Sequence, residues 1–146
     1  MIIPDVNVLV TAFHEGAPDH GAMRAWLAEA LSGDEPIGLA DTVLAGFVRV
    51  STHARIFTKP APTPMAFAFV DALRRQPTVV DIAPGSRHWT IFRRLCTTVG
   101  AKGNLVADAY LAAIAIEAGG EWITLDRDFS RFSGLRWRHP LVAPSE

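Results

Sequence analysis

Apolar positions along the chain follow two rhythms. Short apolar or β-branched runs read as strands: MII at the N-terminus, PIGLA at 36–40, TVVDIAP at 78–84 and EWITLD at 121–126, the last of them buried at Trp122, Ile123 and Leu125. LRWRHP at 135–140 reads as a last short strand, and Pro4 is expected to end the first. Between the runs, apolar residues recur at three- and four-residue spacing, the period of a helix with one face in a core. DVNVLVTAF (5–13) reads as a turn entering a helix. APDHGAMRAWLAEALSG (17–33) is a helix with Asp19 as N-cap and Gly33 as stop. DTVLAGFVRVSTHARIF (41–57) repeats the pattern behind Asp41 or Thr42 as N-cap. The proline-broken TKPAPTP (58–64) is a loop, and MAFAFVDALRRQ (65–76) returns to helix. SRHWTIFRRLCTTVG (86–100), capped by Ser86 and closed by Gly100, precedes the strongest helix. That one is GNLVADAYLAAIAIEAGG (103–120), capped by Asn104 and closed by Gly119 and Gly120.

Short apolar strands alternating with helices predict an α/β fold with a mainly parallel sheet covered on both faces. Ligands of such sheets bind beyond the carboxyl ends of the strands. Asp5 follows the first strand and Asp126 follows EWITL, so parallel strands put both at one edge. Asp128 stands two residues further on. Asp108 lies one turn into the alanine-rich helix, among Val106, Ala109, Tyr110, Ala112 and Ala113, where a carboxylate is expensive unless compensated.

Each acid also has an ordinary structural role available. Asp5 can cap the helix it precedes, Asp108 can sit in a favourable first-turn position, and Asp126 and Asp128 can be turn residues, Asp128 capping FSRF. Their convergence from distant parts of the chain shifts the balance. Packed carboxylates raise one another's pKa and destabilise a fold unless a cation intervenes. An all-oxygen donor set without cysteine or histidine partners points to a hard ion, Mg²⁺ or Mn²⁺.

Composition narrows the setting. With 146 residues, 49% hydrophobic and 20% charged, the chain is long enough for one domain, 1–146, with its own core. A formal net charge of -1 supplies no overall field to gather nucleic acid, so a polyanion needs a local patch or a bound cation. Cys96, alone, makes neither an intrachain disulfide nor a zinc cage, which fits a reduced, cytoplasmic setting. The N-terminal stretch lacks a basic n-region and is broken by Asp5 and Asn7, so it reads as neither a signal peptide nor a membrane span.

MIIPDVNVLV, NLVADAYLAAIAIEAGG and WITLDRDFSRFSGL, in that order and at these separations, resemble the PIN-domain ribonucleases, most closely the VapC-type toxins of prokaryotic toxin–antitoxin pairs. The resemblance spans nearly the whole chain. It implies a PIN-like three-layer sandwich and a Mg²⁺-dependent endoribonuclease, the toxin of a type II pair, blocked by a small cognate antitoxin. A homodimer is implied as well, without membrane association. By position Asp5, Asp108 and Asp126 match the family's metal-binding acids, Asp128 a further acid, and Asn7 and Thr124 polar residues that brace the site.

One departure stands out. The family carries a glutamate in a pattern like L-x-E-F-x-R-V, whereas this chain reads LAGFVRV, with Gly46 at the glutamate position. Asp41 is the nearest acid upstream. In the chemistry the resemblance implies, three acids hold the metal, and Asp128 or Asp126 takes a proton. Arg49, Arg55, Lys59, Arg93, Arg94, Lys102 and Arg127 are the cations available to guide an RNA backbone. Trp26, Trp89 and Trp122 fall on apolar faces and are expected in the core, Trp137 among arginines is a stacking candidate, and the five histidines lack metal-ligand spacing. Two other readings compete: a metal-dependent nuclease of non-RNA substrates such as single-stranded DNA, and a PIN-like binding module weakened by Gly46.

Overall fold

The computed structural model describes residues 1–144. Five strands, β1 (Ile2–Pro4), β2 (Ile37–Ala40), β3 (Val79–Ile82), β4 (Glu121–Ile123) and β5 (Trp137–Arg138), form one sheet in the order β3-β2-β1-β4-β5. Every neighbouring pair is parallel, with Ile2 beside Ile37 and Ile3 beside Trp122. Parallel pairing leaves both faces to be covered, which is why the central strands are apolar at successive residues: β1 and β2 are buried throughout. Pro4 does not end β1 but is its last residue, opposite Ile123; the missing N–H matters little because Asp5 N–H resumes the ladder to Ile123 O at 2.8 Å.

Among the described residues six helices supply the covering layers: α1 (Val6–Phe13), α2 (His20–Ser32), α3 (Asp41–Ser51), α4 (Thr63–Arg74), α5 (His88–Val99) and α6 (Asn104–Ala118). α1 packs on α2 and α3, and α3 on α4, while α5 packs on α6 and α6 on β4. The two groups follow from handedness. The chain runs β1 to β2 to β3 in one direction and then returns past β1 to β4. Right-handed crossovers therefore put α1 to α4 on one face and α5 and α6 on the other. The core between the layers is built on Ile3, Leu9, Leu39, Phe47, Ile114 and Trp122.

Local signals failed at several ends. The helix expected over 41–57 stops at Ser51. There Thr52 turns its hydroxyl back to Val48 O at 2.8 Å, and His53 Nδ1 accepts Arg55 N–H at 3.0 Å, so side chains take over helical hydrogen bonding. The N-caps of α3, α5 and α6 are Ala40, Arg87 and Gly103 rather than Asp41 or Thr42, Ser86 and Asn104, and none makes a side-chain cap bond. Asp19 does precede α2, but with φ 61° and no cap bond. Gly100 and Gly119 close α5 and α6 at φ 61° and 69°, left-handed conformations that favour glycine. Trp122 is fully buried and Trp26 partly so, but Trp89 is 61% exposed: it follows buried His88 by one helical step of about 100°, which carries it off the buried face. No helix among the described residues is long and apolar enough to cross a membrane.

Candidate active site

The chain leaves β1 and β4 side by side and turns away from both at the same edge. β1 is where the strand order reverses, the place where parallel sheets open a crevice. Asp5 begins that exit. Its backbone is extended (φ -72°, ψ 163°) and its Oδ1 accepts Val6 N–H at 2.6 Å, so it caps α1. Capping uses only part of the carboxylate. Thr124, fully buried just past β4, donates its hydroxyl to Asp5 Oδ2 at 2.7 Å and accepts Asp126 N–H at 3.0 Å. Asn7 Nδ2 reaches Thr124 Oγ1 at 3.2 Å and Asp5 Oδ2 at 3.3 Å, and Asn7 Oδ1 accepts Leu125 N–H at 3.2 Å. Two short polar side chains thus tie the β1 exit to the β4 exit and fix Asp5 relative to Asp126.

Asp5 is only 6% exposed. Burial pushes its pKa from 3.8 up to about 6, against the lowering pull of the Thr124 and Val6 hydrogen bonds, and the negative charges of Asp108 and Asp126 add to the rise. Asp108, half-buried in the first turns of α6, is raised in the same direction by burial first, then by Asp126 and Asp128. Asp5 thus feels Asp108 and Asp126, and Asp108 feels Asp126 and Asp128, across three separate elements. Asp5, Asp108 and Asp126 line a common cleft of about 520 Å³, with Arg49 of α3 and Ile56 and Phe57 of the following loop on its other walls.

Asp128 stands apart. It is exposed on the short 3₁₀ helix Arg127–Arg131, outside the residues that line the cleft. The cap of that turn is Asp126, whose Oδ1 accepts Asp128 N–H at 2.9 Å, and not Asp128 as its position implied. Asp41 does not reach the cleft. Its side chain is 89% exposed and bound to Arg74 at 2.6 Å, beside β3. Gly46 faces the cleft, but the place of a side chain there is taken: an added Cβ would lie 2.8 Å from Val6 Cγ2. A glutamate here therefore requires the Val6 side chain of α1 to shift.

The acids do not form a closed cage. Among the described residues no three Asp, Glu, His or Cys side chains are grouped tightly enough, as placed, to enclose an ion between them. An open acidic cleft still suits Mg²⁺, which dehydrates reluctantly and is ordinarily bound through one or two carboxylates plus waters. Asp5, raised first by burial and further by the charges of Asp108 and Asp126, belongs to an all-oxygen donor set that fits a hard cation. Of the residues shaping the cleft, sequence reasoning passed over Ile56 and Phe57, which were assigned to a helix; the polar run Ser51, Thr52, His53 was the only local sign that the chain turns there.

The PIN-domain profile matches residues 2–135. This chain belongs to the PIN-domain family. Its relatives include the VapC ribonuclease Mb2897 of Mycobacterium bovis, 48% identical over 141 residues that cover 97% of this chain and 96% of that one. Ribonuclease VapC25 of Mycobacterium tuberculosis is 41% identical over 142 residues, covering 97% and 100%. This PIN domain also shares its fold with solved structures of much lower identity. VapC20 of Mycobacterium tuberculosis, described as a sarcin–ricin-loop-cleaving toxin, aligns with TM-score 0.64 at 19% identity over 93% of this chain and 99% of that one. VapBC-1 of nontypeable Haemophilus influenzae aligns with TM-score 0.66 at 18% identity, covering 96% and 98%. The expected α/β architecture, a parallel sheet between helical layers, is the fold of these structures.

Proposed function

We propose that this PIN domain is a cytoplasmic, metal-dependent endoribonuclease, the toxin of a type II toxin–antitoxin pair, acting as a homodimer and restrained by a small cognate antitoxin. The observation that carries the reading is Asp5, a buried carboxylate with its pKa raised to about 6 and with Asp108 and Asp126 facing the same cleft. Relatives named as VapC ribonucleases, and VapBC structures among those of like fold, support the substrate and the partner.

Asp5, Asp108 and Asp126 would hold one Mg²⁺ or Mn²⁺, ions suited to a few carboxylates plus water. Bound there, the ion supplies charge neutralisation at a phosphate and a water of lowered pKa. The chain's residues do the rest. Thr124 and Asn7 hold Asp5 in place through its Oδ2, and the Thr124 hydroxyl favours its ionised form against the effect of burial. A carboxylate not committed to the ion, Asp126 in the cleft or Asp128 on the adjoining 3₁₀ turn, would take the proton of an attacking water. Arg49 faces the RNA backbone from the opposite wall, where the slightly acidic chain otherwise offers no positive field.

Incubation of total RNA with the protein in Mg²⁺ and in EDTA tests the reading, with Asp108→Ala alongside. Cleavage in Mg²⁺ alone, abolished in the variant, is expected. Wild-type rates from Asp108→Ala would remove the acids from the mechanism, and turnover on single-stranded DNA but not RNA would change the substrate.

A further inference from the structure

We infer that the cavity adjoining the acid cleft is a subsite for one nucleobase of a single-stranded RNA laid across the acids, an inference that rests on the nuclease reading above. The cavity measures about 670 Å³, within the ~300–1,000 Å³ of pockets that bury a small organic ligand. It is a continuation of the acid cleft: Gly16, Ile56 and Phe57 wall both. A strand whose phosphate lies at Asp5 and Asp126 therefore has a neighbouring hollow for a base on the Phe57 side.

The lining suits a flat aromatic ring. His14 stacks on Phe57 with ring centroids 3.6 Å apart and planes 8° from parallel. The His14 ring is fixed at both nitrogens: Nδ1 accepts Gly16 N–H at 3.0 Å, so Nε2 carries the proton and donates to Lys59 O at 2.9 Å. The aromatic wall is consequently held in place before anything binds, which reduces the ordering that a ligand must impose. Ile56 and Met65 stand at the cavity 50% and 56% exposed, apolar surface that a base would cover. Lys59 lines this cavity and Arg49 the cleft, cations along the path that an RNA backbone would take. Unstacked bases laid on aromatic side chains, with cations along the backbone, are the usual means of holding single-stranded RNA.

The test separates base binding from cleavage. A short fluorescein-labelled single-stranded RNA is titrated in EDTA by anisotropy, and an abasic residue is walked along it. Wild-type protein is compared with Phe57→Ala and with Ile56→Ala, whose side chain is half exposed, and thermal melts check that both fold. At one position the abasic residue is expected to weaken wild-type binding about tenfold, as for loss of one base–aromatic stack, and the penalty should fall to about twofold or less in either variant. An abasic penalty of equal size in all three proteins overturns the inference and leaves the cavity to a protein segment. The cleavage assay is scored separately. RNA cut in Mg²⁺ with no position-dependent abasic penalty sinks the subsite alone, and a penalty that Phe57→Ala erases without any cleavage sinks the nuclease reading alone.

Discussion

Replacing Asp5 by asparagine should stabilise the protein at neutral pH and leave or slightly weaken it in acid. The folded-state pKa of Asp5 is raised from 3.8 to about 6, chiefly by burial. A raised carboxyl pKa means that the native state holds its proton more tightly than the unfolded chain does. The associated stability is fully present below pH ~4 and is lost as pH rises through about 6. At ~1.4 kcal/mol per pKa unit, the difference between 3.8 and about 6 makes the wild type ~3 kcal/mol less stable above that window than below it. The asparagine would not titrate, but its amide would stand where Oδ2 now accepts the Thr124 hydroxyl, a loss of ~1 kcal/mol at every pH. The variant should therefore be ~1 kcal/mol less stable than wild type at pH 4 and ~2 kcal/mol more stable at pH 7.5. Urea denaturation of both proteins at half-unit steps from pH 4 to 8, in EDTA, measures the difference directly. Other acids titrate in both proteins and largely cancel. A stability difference that stays constant across the range would refute the reasoning, because it would mean that Asp5 ionises in the fold as easily as in the unfolded chain. Mg²⁺ should close the gap at neutral pH, since at a hundred times its dissociation constant a ligand of the native state adds ~2.7 kcal/mol to the wild type and little to the variant.

Thr124→Val keeps the buried shape but removes the hydroxyl that joins Asp5 to Asp126 N–H, so metal affinity should fall about 10–100-fold, read from the Mg²⁺ dependence of cleavage or by calorimetry. Gly46→Glu places a Cβ against Val6 and should lower stability by ~1–3 kcal/mol in a urea melt while leaving metal-stimulated cleavage no faster than wild type; a gain in activity would show that this chain merely lost a ligand. Gly119→Ala, at φ 69°, should destabilise by ~1 kcal/mol without altering the pH profile of Asp5→Asn relative to wild type, because it strains only the exit of α6.

The sequence alone determined the layered plan. Apolar runs at β1, β2 and β4 are buried at successive positions because parallel strands are covered on both faces, and that signal is local, as are the left-handed glycines that close α5 and α6. It also placed Asp5 and Asp126 at one edge, since a residue that follows a parallel strand has nowhere else to be. What tertiary structure decided was how closely these groups meet. Whether Gly46 is an open ligand position or a packed contact depends on the Val6 side chain from another helix. Whether Asp41 reaches the cleft depends on Arg74, which lies 33 residues away and draws it to β3. The open spacing of the acids likewise arises from how distant segments pack, and no periodicity within a segment records it.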